Sequence, residues 1–316
     1  MITRNNDIKL ICGTSNPELC QEISKILRIP LTKVEIDKFA NSETYVRVKE
    51  NMREKDVFII QSTSNPANET LMELLIMIDA LKRSSARRIT AVMPWYGYSK
   101  QDRKATSREP ITAKLVANLL TAAGADRILT LDLHASQIQG FFDIPCDNLY
   151  AMPILSKHFQ RMNLKNFVVV APDEGGVKIN SKLASKLHLP FVIISKKRSY
   201  ELEGHDKVQE AIILGNVRGK DVIMMDDMIM TGGTLIAAVK TLKQSGAKKI
   251  YLSFTHGDFA GPAFERMEDP DIEEVIVTNS IKFKQIKKIK TVSIAPLLAE
   301  AIRRIHCGES VSSLFD

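Results

Sequence analysis

Apolar, β-branched runs alternate with helical patterns along the whole chain. In the first half the order is DVFIIQS at 56–62, ETLMELLIMIDALKR at 69–83, RITAVMPW at 88–95, PITAKLVANLLTAAG at 110–124 and RILTLDL at 127–133. The second half repeats the plan with NFVVVAPD at 166–173, GVKINSKLASKL at 176–187, PFVIISKKR at 190–198, KDVIMMDD at 220–227, TLIAAVKTLKQSG at 234–246 and KKIYLSF at 248–254. Short continuous apolar runs separated by amphipathic stretches predict parallel strands buried on both faces, with helices as crossovers. The pattern therefore predicts an α/β chain of two similar doubly wound parallel-sheet domains, 1–150 and 151–316, with room for the last residues to pack back on the first. Pro110 suits a first helical position, and Gly124 and Gly246 suit helix stops.

The stretch Glu69 to Arg83 is apolar on nearly every side, with Leu71, Leu74, Leu75 and Ile78 on one face and Met72, Ile76 and Met77 on another. Such a helix needs cover on both faces, from a second layer of the same chain or from another subunit.

Composition narrows the classes without choosing a function. A length of 316 residues suits two domains, and 44% hydrophobic with 26% charged content is that of a soluble globular protein. No stretch has the apolar length of a membrane span, and MITRNNDIKLICG lacks a signal-peptide core, so the expectation is a cytoplasmic protein with no membrane partner. Cys12, Cys20, Cys146 and Cys307 form no C-x-x-C pair, which argues against a zinc site or a disulfide framework. The net charge of +7 comes without a basic cluster interleaved with aromatics, which total only 6%, so nucleic acid is not expected and a polyphosphate substrate suits the balance. The run Lys282, Lys284, Lys287, Lys288 and Lys290 reads as a solvated face.

Chemistry is densest in MMDDMIMTGGT at 224–234. An apolar strand delivers Asp226 and Asp227 to its end, and a turn of Thr231, Gly232, Gly233 and Thr234 opens a helix. Carboxylates there can accept hydroxyls or hold Mg²⁺, beside backbone N–H groups suited to a phosphate. A phosphorylated sugar fits both halves. In PDEGG at 172–176, Asp173 before Gly175 and Gly176 is equally natural as a second anion or metal cradle and as a helix N-cap. His134 lies just past a strand end, where a lone histidine is more often a packed or capping residue than a ligand; Asp132 would orient rather than coordinate. Lys196 and Arg198 stand at the start of the polar stretch SYELEGHDK, which reads as a mobile loop; they could close over a triphosphate, or form a solvated basic turn with Lys197. GNVRGKD at 215–221 has the wrong spacing for a Walker A loop and reads as a turn before a strand.

Taken in order, FANSE at 39–43, YSKQDRK at 98–104, DLHASQIQGFFDIP at 132–145, PDEGG, KKR at 196–198 and the TGGT loop resemble the ribose-phosphate pyrophosphokinase family, within the type I phosphoribosyltransferase-like group. That resemblance implies the group's fold for both domains and a diphosphoryl transfer from ATP to the anomeric hydroxyl of ribose 5-phosphate. It implies Lys196 as the catalytic lysine with Arg198 as its partner. His134 and Asp173 are implied as Mg²⁺ ligands, His134 also at the ATP phosphates. The ATP site is implied at Phe39, Asn41, Ser42, Glu43, Lys100 and Gln101, shared between subunits. The ribose 5-phosphate site is implied at Arg198, Asp226, Asp227, Met230, Thr231, Gly232, Gly233 and Thr234. It further implies a homo-oligomer of dimers assembling to a hexamer.

Three departures stand out. Lys100 replaces the family's usual Arg, Met230 its usual Asp, and Asn51 a Ser common in relatives regulated by phosphate and ADP, whereas Arg53, Arg108 and the tail Ser310–Ser312 still resemble that regulatory site. A phosphoribosyltransferase would share the TGGT loop but leaves FANSE and SKQDRK unexplained. A non-catalytic homologue would keep the fold; such proteins usually carry an insertion in the catalytic loop, which the short span from Lys196 to Val208 lacks.

Overall fold

The computed structural model describes residues 7–198 and 209–314. The chain divides at Ala151 into two compact units, and residues 279–282 and 293–316 return to the first.

In the first unit a parallel sheet runs in the order β1 (Ile8–Cys12), β4 (Asp56–Ile60), β5 (Arg88–Met93), β6 (Arg127–Leu131), β7 (Cys146–Leu149). Between β1 and β4 the chain forms α1 (Pro17–Leu27) and a separate antiparallel hairpin of β2 (Val34–Lys38) and β3 (Thr44–Val48). The crossovers α2 (Ala67–Arg83) and α3 (Thr112–Ala123) follow β4 and β5. Alternation decides which face each helix covers. Ile11, Val57, Ile59, Ala91 and Met93 join Leu74, Met77, Val116 and Leu120 of α2 and α3 in one core. Their neighbours Leu10, Phe58, Ile60 and Val92 are equally buried on the other side. There α1 packs on β1, and the C-terminal helix α8 (Ala295–Cys307) packs on α1.

Each helix end has a local cause. Asn16 caps α1 by accepting from the Leu19 N–H at 3.3 Å, with Pro17 at the first position. α3 begins two residues beyond Pro110 and stops at Gly124, whose φ of 115° a side chain rarely adopts. The apolar α2 is covered largely by its own chain, by α3 and by the β2–β3 hairpin through Val46 and Val48, and Met72 stays exposed.

The second unit holds a sheet in the order β10 (Gln209–Leu214), β9 (Phe191–Arg198), β8 (Phe167–Ala171), β11 (Asp221–Ile229), β12 (Ile250–Gly257), β13 (Ile272–Thr278), β14 (Ile289–Val292). All pairs are parallel except β9–β10. Its helices are α4 (Met152–Gln160), α5 (Val177–Leu187), α6 (Gly233–Gln244) and the short α7 (Ala263–Met267). Strand order reverses between β8 and β11, so the ligand crevice of an open α/β sheet belongs there, beyond the carboxyl ends. Gly215 and Gly219 form the expected turn before β11, at φ values of 134° and 73°. Lys288 is not solvated as expected: its ammonium donates to the carbonyls of Asp269 (2.5 Å) and Ile272 (2.8 Å). Among the described residues no helix is long and apolar enough to cross a membrane.

The end of α8 is tied to the first sheet by charge. Asp56, fully buried, accepts from Arg88 Nε at 2.8 Å and Nη2 at 2.5 Å and lies 2.7 Å from His306 Nδ1; Arg88 also donates to the Ile305 carbonyl at 2.9 Å. Removing one partner of a buried ion pair leaves the other charge uncompensated. Arg88→Met should therefore lower unfolding stability by about 3 kcal/mol in urea titrations. Asp79→Ala, which breaks the exposed Arg83–Asp79 pair, should leave the midpoint unchanged. Equal effects would show that Arg88 contributes only as a surface charge.

Candidate active site

The apolar run of β11 makes it a central strand, and its polar end follows from what it pairs with. Against β12 it stays in register from Val222 to Ile229. Against β8 it pairs only from Asp221 to Ile223, opposite Phe167 to Val169. Past that point the two strands part, and the acidic pair lies on the parted segment. Asp226 Oδ1 accepts from the Asp227 N–H at 2.9 Å.

After Ile229 the chain turns through Met230 and Thr231 into α6. Gly232 precedes the helix at φ 73°, ψ 8°, and no side chain caps the helix start, so its first N–H groups have no side-chain acceptor. A Cβ on Gly232 would also come within 3.3 Å of Met267 Cε and 3.5 Å of Ile229 Cδ1. Glycine is favoured by the backbone angle, with the packing close but not closed. Arg266 of α7 donates from Nη1 to the Thr231 carbonyl at 2.7 Å, holding the turn and placing a cation beside it. Sequence reasoning passed over Arg266, since nothing in its local pattern separates it from a surface arginine.

Asp173 lies two residues past the end of β8. Its Oδ1 accepts from the Gly176 N–H at 3.0 Å, a turn contact ahead of α5, whose own start carries no side-chain cap. A Cβ on Gly175 would meet that oxygen at 3.3 Å. The Asp226 carboxyl is pushed up to about 7, first by burial, then by the neighbouring charge of Asp227, with Asp173 adding to the effect. Lys196 and Arg198 end β9, in register with Ala211 and Gln209. Their side chains, and residues 199–208 of the expected loop, lie outside the described residues.

In the first unit the remaining candidates sit on three separate segments. FANSE is the tip of the β2–β3 hairpin: Phe39 N–H donates to the Glu43 carbonyl at 2.9 Å, Ser42 N–H to the Phe39 carbonyl at 2.8 Å, and Glu43 N–H to Asn41 Oδ1 at 3.2 Å. Ser42 adopts φ 70°. Phe39 is 55% exposed, with its ring edge-on to Tyr45 at 5.4 Å. Lys100 and Gln101 are exposed before α3, and the Gln101 side chain accepts from the Thr112 hydroxyl. His134 is exposed three residues beyond β6. Asp132 Oδ2 accepts from the Ala151 N–H at 2.9 Å, an anchoring contact. Of the regulatory candidates, Asn51 Oδ1 accepts from Arg53 N–H at 3.0 Å, Arg108 adopts φ 69°, and Arg304 donates to the Ser310 carbonyl at 2.9 Å.

Residues 8–124 match the N-terminal domain of ribose phosphate pyrophosphokinase, and residues 202–316 match the phosphoribosyl synthetase-associated domain. The chain is 51% identical over 322 aligned positions to a ribose-phosphate pyrophosphokinase of Clostridium perfringens, covering 100% of this chain and 99% of that one. The chain belongs to the ribose-phosphate pyrophosphokinase family. A second member, from Bacillus subtilis, is 50% identical with 98% of both chains covered. Among solved structures, phosphoribosylpyrophosphate synthetase from Mycobacterium smegmatis matches with a TM-score of 0.89 at 43% identity, over 96% of this chain and 99% of that one. As a member of the ribose-phosphate pyrophosphokinase family, the chain has the expected α/β fold with parallel sheets.

The raised Asp226 carboxyl has a consequence for stability. Its ordinary value is 3.8 and its folded value about 7. Between those pH values the folded state holds a proton that the unfolded chain has lost, so stability falls as pH rises through the window. Above it the full cost of the buried charge is present. Asp226→Asn should raise the melting temperature at pH 8, by a free energy on the order of 1–3 kcal/mol, and change it little near pH 4. Equal shifts at both pH values in thermal melts would rule out charge burial as the cause.

Proposed function

We propose that the protein transfers the diphosphoryl group of ATP to ribose 5-phosphate, forming 5-phosphoribosyl 1-diphosphate and AMP. The anomeric oxygen bonds to the β-phosphorus, the bond from that phosphorus to the oxygen bridging the α-phosphate breaks, and the hydroxyl proton leaves. The observation that carries this reading is the Asp226–Asp227 pair on a parted strand, followed at once by an uncapped helix start opened by Gly232. One ligand satisfies both: hydroxyls for the carboxylates and a phosphate for the N–H groups.

In this reading Asp226 and Asp227 accept from the ribose hydroxyls. Thr231, Gly232, Gly233 and Thr234 hold the 5-phosphate, and Met230 contributes main chain. Lys196 and Arg198 neutralise the charge that shifts in the transfer. Phe39 offers its exposed face to adenine, with Asn41, Ser42, Glu43, Lys100 and Gln101 around the nucleotide. Lys100 cannot fork hydrogen bonds or stack as arginine does, so its contact is a point charge.

The donor set fits Mg²⁺, because hard carboxylate oxygens that repel one another are relieved by a divalent cation. Asp173 would hold it, with His134 at the ATP phosphates. Among the described residues no three such side chains form a ready-made cage, so substrate oxygens would complete the shell. When bound, the ion would supply charge neutralisation on the phosphates.

The protein works in this reading as a homo-oligomer, a dimer that assembles further to a hexamer, in the cytoplasm, with phosphate and ADP as regulators. Ile111, Leu115 and Leu119 form an exposed apolar stripe at the start and along α3, at 38%, 53% and 39% exposure, and Met72 is exposed on α2, against which α3 packs. Stripes of this kind mark association surfaces.

Purified protein given ATP, ribose 5-phosphate and Mg²⁺, with and without inorganic phosphate, should form AMP and 5-phosphoribosyl 1-diphosphate in equal amounts. No product from folded protein that still binds ATP would overturn the proposal in favour of a non-catalytic homologue. Lys196→Ala should remove most turnover, roughly 100-fold or more, while ribose 5-phosphate binding in calorimetry stays near wild type; unchanged turnover would take Lys196 out of the mechanism. The double variant Leu115→Glu with Leu119→Glu should shift the sedimenting species to a smaller mass. An unchanged mass would place the association surface elsewhere.

A further inference from the structure

The parting of β8 and β11 leaves backbone groups of β11 without a strand partner exactly where the acidic pair must be held, and one side chain fills the gap. Asn180, in the first turn of α5, is fully buried. Its Oδ1 accepts from the Met225 N–H at 2.8 Å, and its Nδ2 donates to the Met225 carbonyl at 2.7 Å. The same Nδ2 donates to the Gly176 carbonyl at 2.9 Å. Only one orientation of the amide puts the oxygen on the N–H and the nitrogen on two carbonyls, so its rotamer is fixed by its partners.

The amide therefore does what a peptide group of β8 would do had the strands stayed paired. Asp221 to Ile223 take their partners from β8, and Met225, two residues on and facing the same edge, takes its partner from Asn180. Met225 directly precedes Asp226, and Gly176 closes the turn whose N–H binds Asp173. A Cβ on Gly176 would lie 3.3 Å from Asn180 Nδ2 and 3.1 Å from Pro172 Cδ, so the absence of a side chain there eases this close approach. Three carboxylates that repel one another are thereby anchored through backbone by a neutral side chain that adds no charge.

We infer that Asn180 is a positioning residue of the sugar-phosphate site: its amide locks the Asp226–Asp227 backbone to the Asp173 turn and so sets the spacing at which the ribose hydroxyls are received. This rests on the proposed function, because the ligand it serves is ribose 5-phosphate. An aspartate at 180 would keep the contact to the Met225 N–H but set carboxylate oxygen against two carbonyls. An alanine would leave all three main-chain groups unpartnered.

The test uses full-length protein, with calorimetric binding of ribose 5-phosphate and steady-state KM and kcat for both substrates. Asn180→Ala should weaken ribose 5-phosphate binding and lower kcat by roughly tenfold each, because small misplacements of reacting groups carry penalties of that size, with KM for ATP unchanged. Asn180→Asp should do worse on both. Leu183→Ala, a buried position further along the same helix, serves as a control that costs stability without touching the amide, and it should leave ribose 5-phosphate binding at wild type. Unchanged binding and kcat in Asn180→Ala overturns the inference. So does a Leu183→Ala variant that weakens the sugar phosphate as much, since loss of helix packing would then suffice. If the wild-type protein itself binds no ribose 5-phosphate, the proposed function fails first, and the role assigned to Asn180 falls with it.

Discussion

The second unit is organised around a gap between two strands that begin as neighbours. Three paired residues hold β8 to β11, after which the strands diverge. Parallel strands that remain paired offer a ligand only their tips, whereas a gap offers a concave edge with main-chain groups on both sides. Those groups cannot be left buried and unpaired. The chain meets that requirement with short polar side chains: Asn180 takes the Met225 peptide and Asp173 takes the Gly176 N–H. Placing the carboxylates at this point, and keeping them there, depends on how the gap is closed.

Once the gap is fixed, the electrostatics follow in opposite senses at its two ends. On the strand side, Asp226 is desolvated beside Asp227 and its carboxyl is raised, an arrangement that costs stability. On the helix side, the uncapped start of α6 carries the positive end of the helix dipole, and Arg266 adds a guanidinium held to the Thr231 carbonyl. Negative and positive potentials adjoin along a few residues of one chain segment. In the proposed reading, a ligand with hydroxyls at one end and a phosphate at the other relieves both.

How much of this was legible depends on how local each feature is. The strand pattern of β11, its acidic end and the glycine turn are contiguous, so the sequence displays strand, site and helix start together. The β2–β3 hairpin is less visible: VEIDK and TYVRV are only half-buried, and the turn between them uses Ser42 at φ 70° in place of glycine or Asn-Gly. Although the last residues were expected to have room to pack back on the first domain, the contacts that α8 makes are also hidden. Its stripe of Leu298, Ile302 and Ile305 shows that one face is buried, yet nothing in a helix says which sheet it will join. Asn180 and Arg266 were missed for the same reason, because a polar residue in a helix reads as solvent-facing until the strand or turn it meets is known.

The departure at Met230 can be weighed on these terms. The turn around it is shaped by main chain: the Met230 carbonyl accepts from the Ala260 N–H at 3.1 Å, the Ile229 carbonyl from Asp258 N–H at 3.1 Å, the Thr231 carbonyl from Arg266, and Gly232 supplies the left-handed backbone. None of these contacts asks for a carboxylate at position 230. An aspartate there would add a further negative charge beside the glycine turn and close to an acidic pair that already bears the cost of burial. The methionine therefore leaves the shape of the loop to its backbone and changes chiefly its charge.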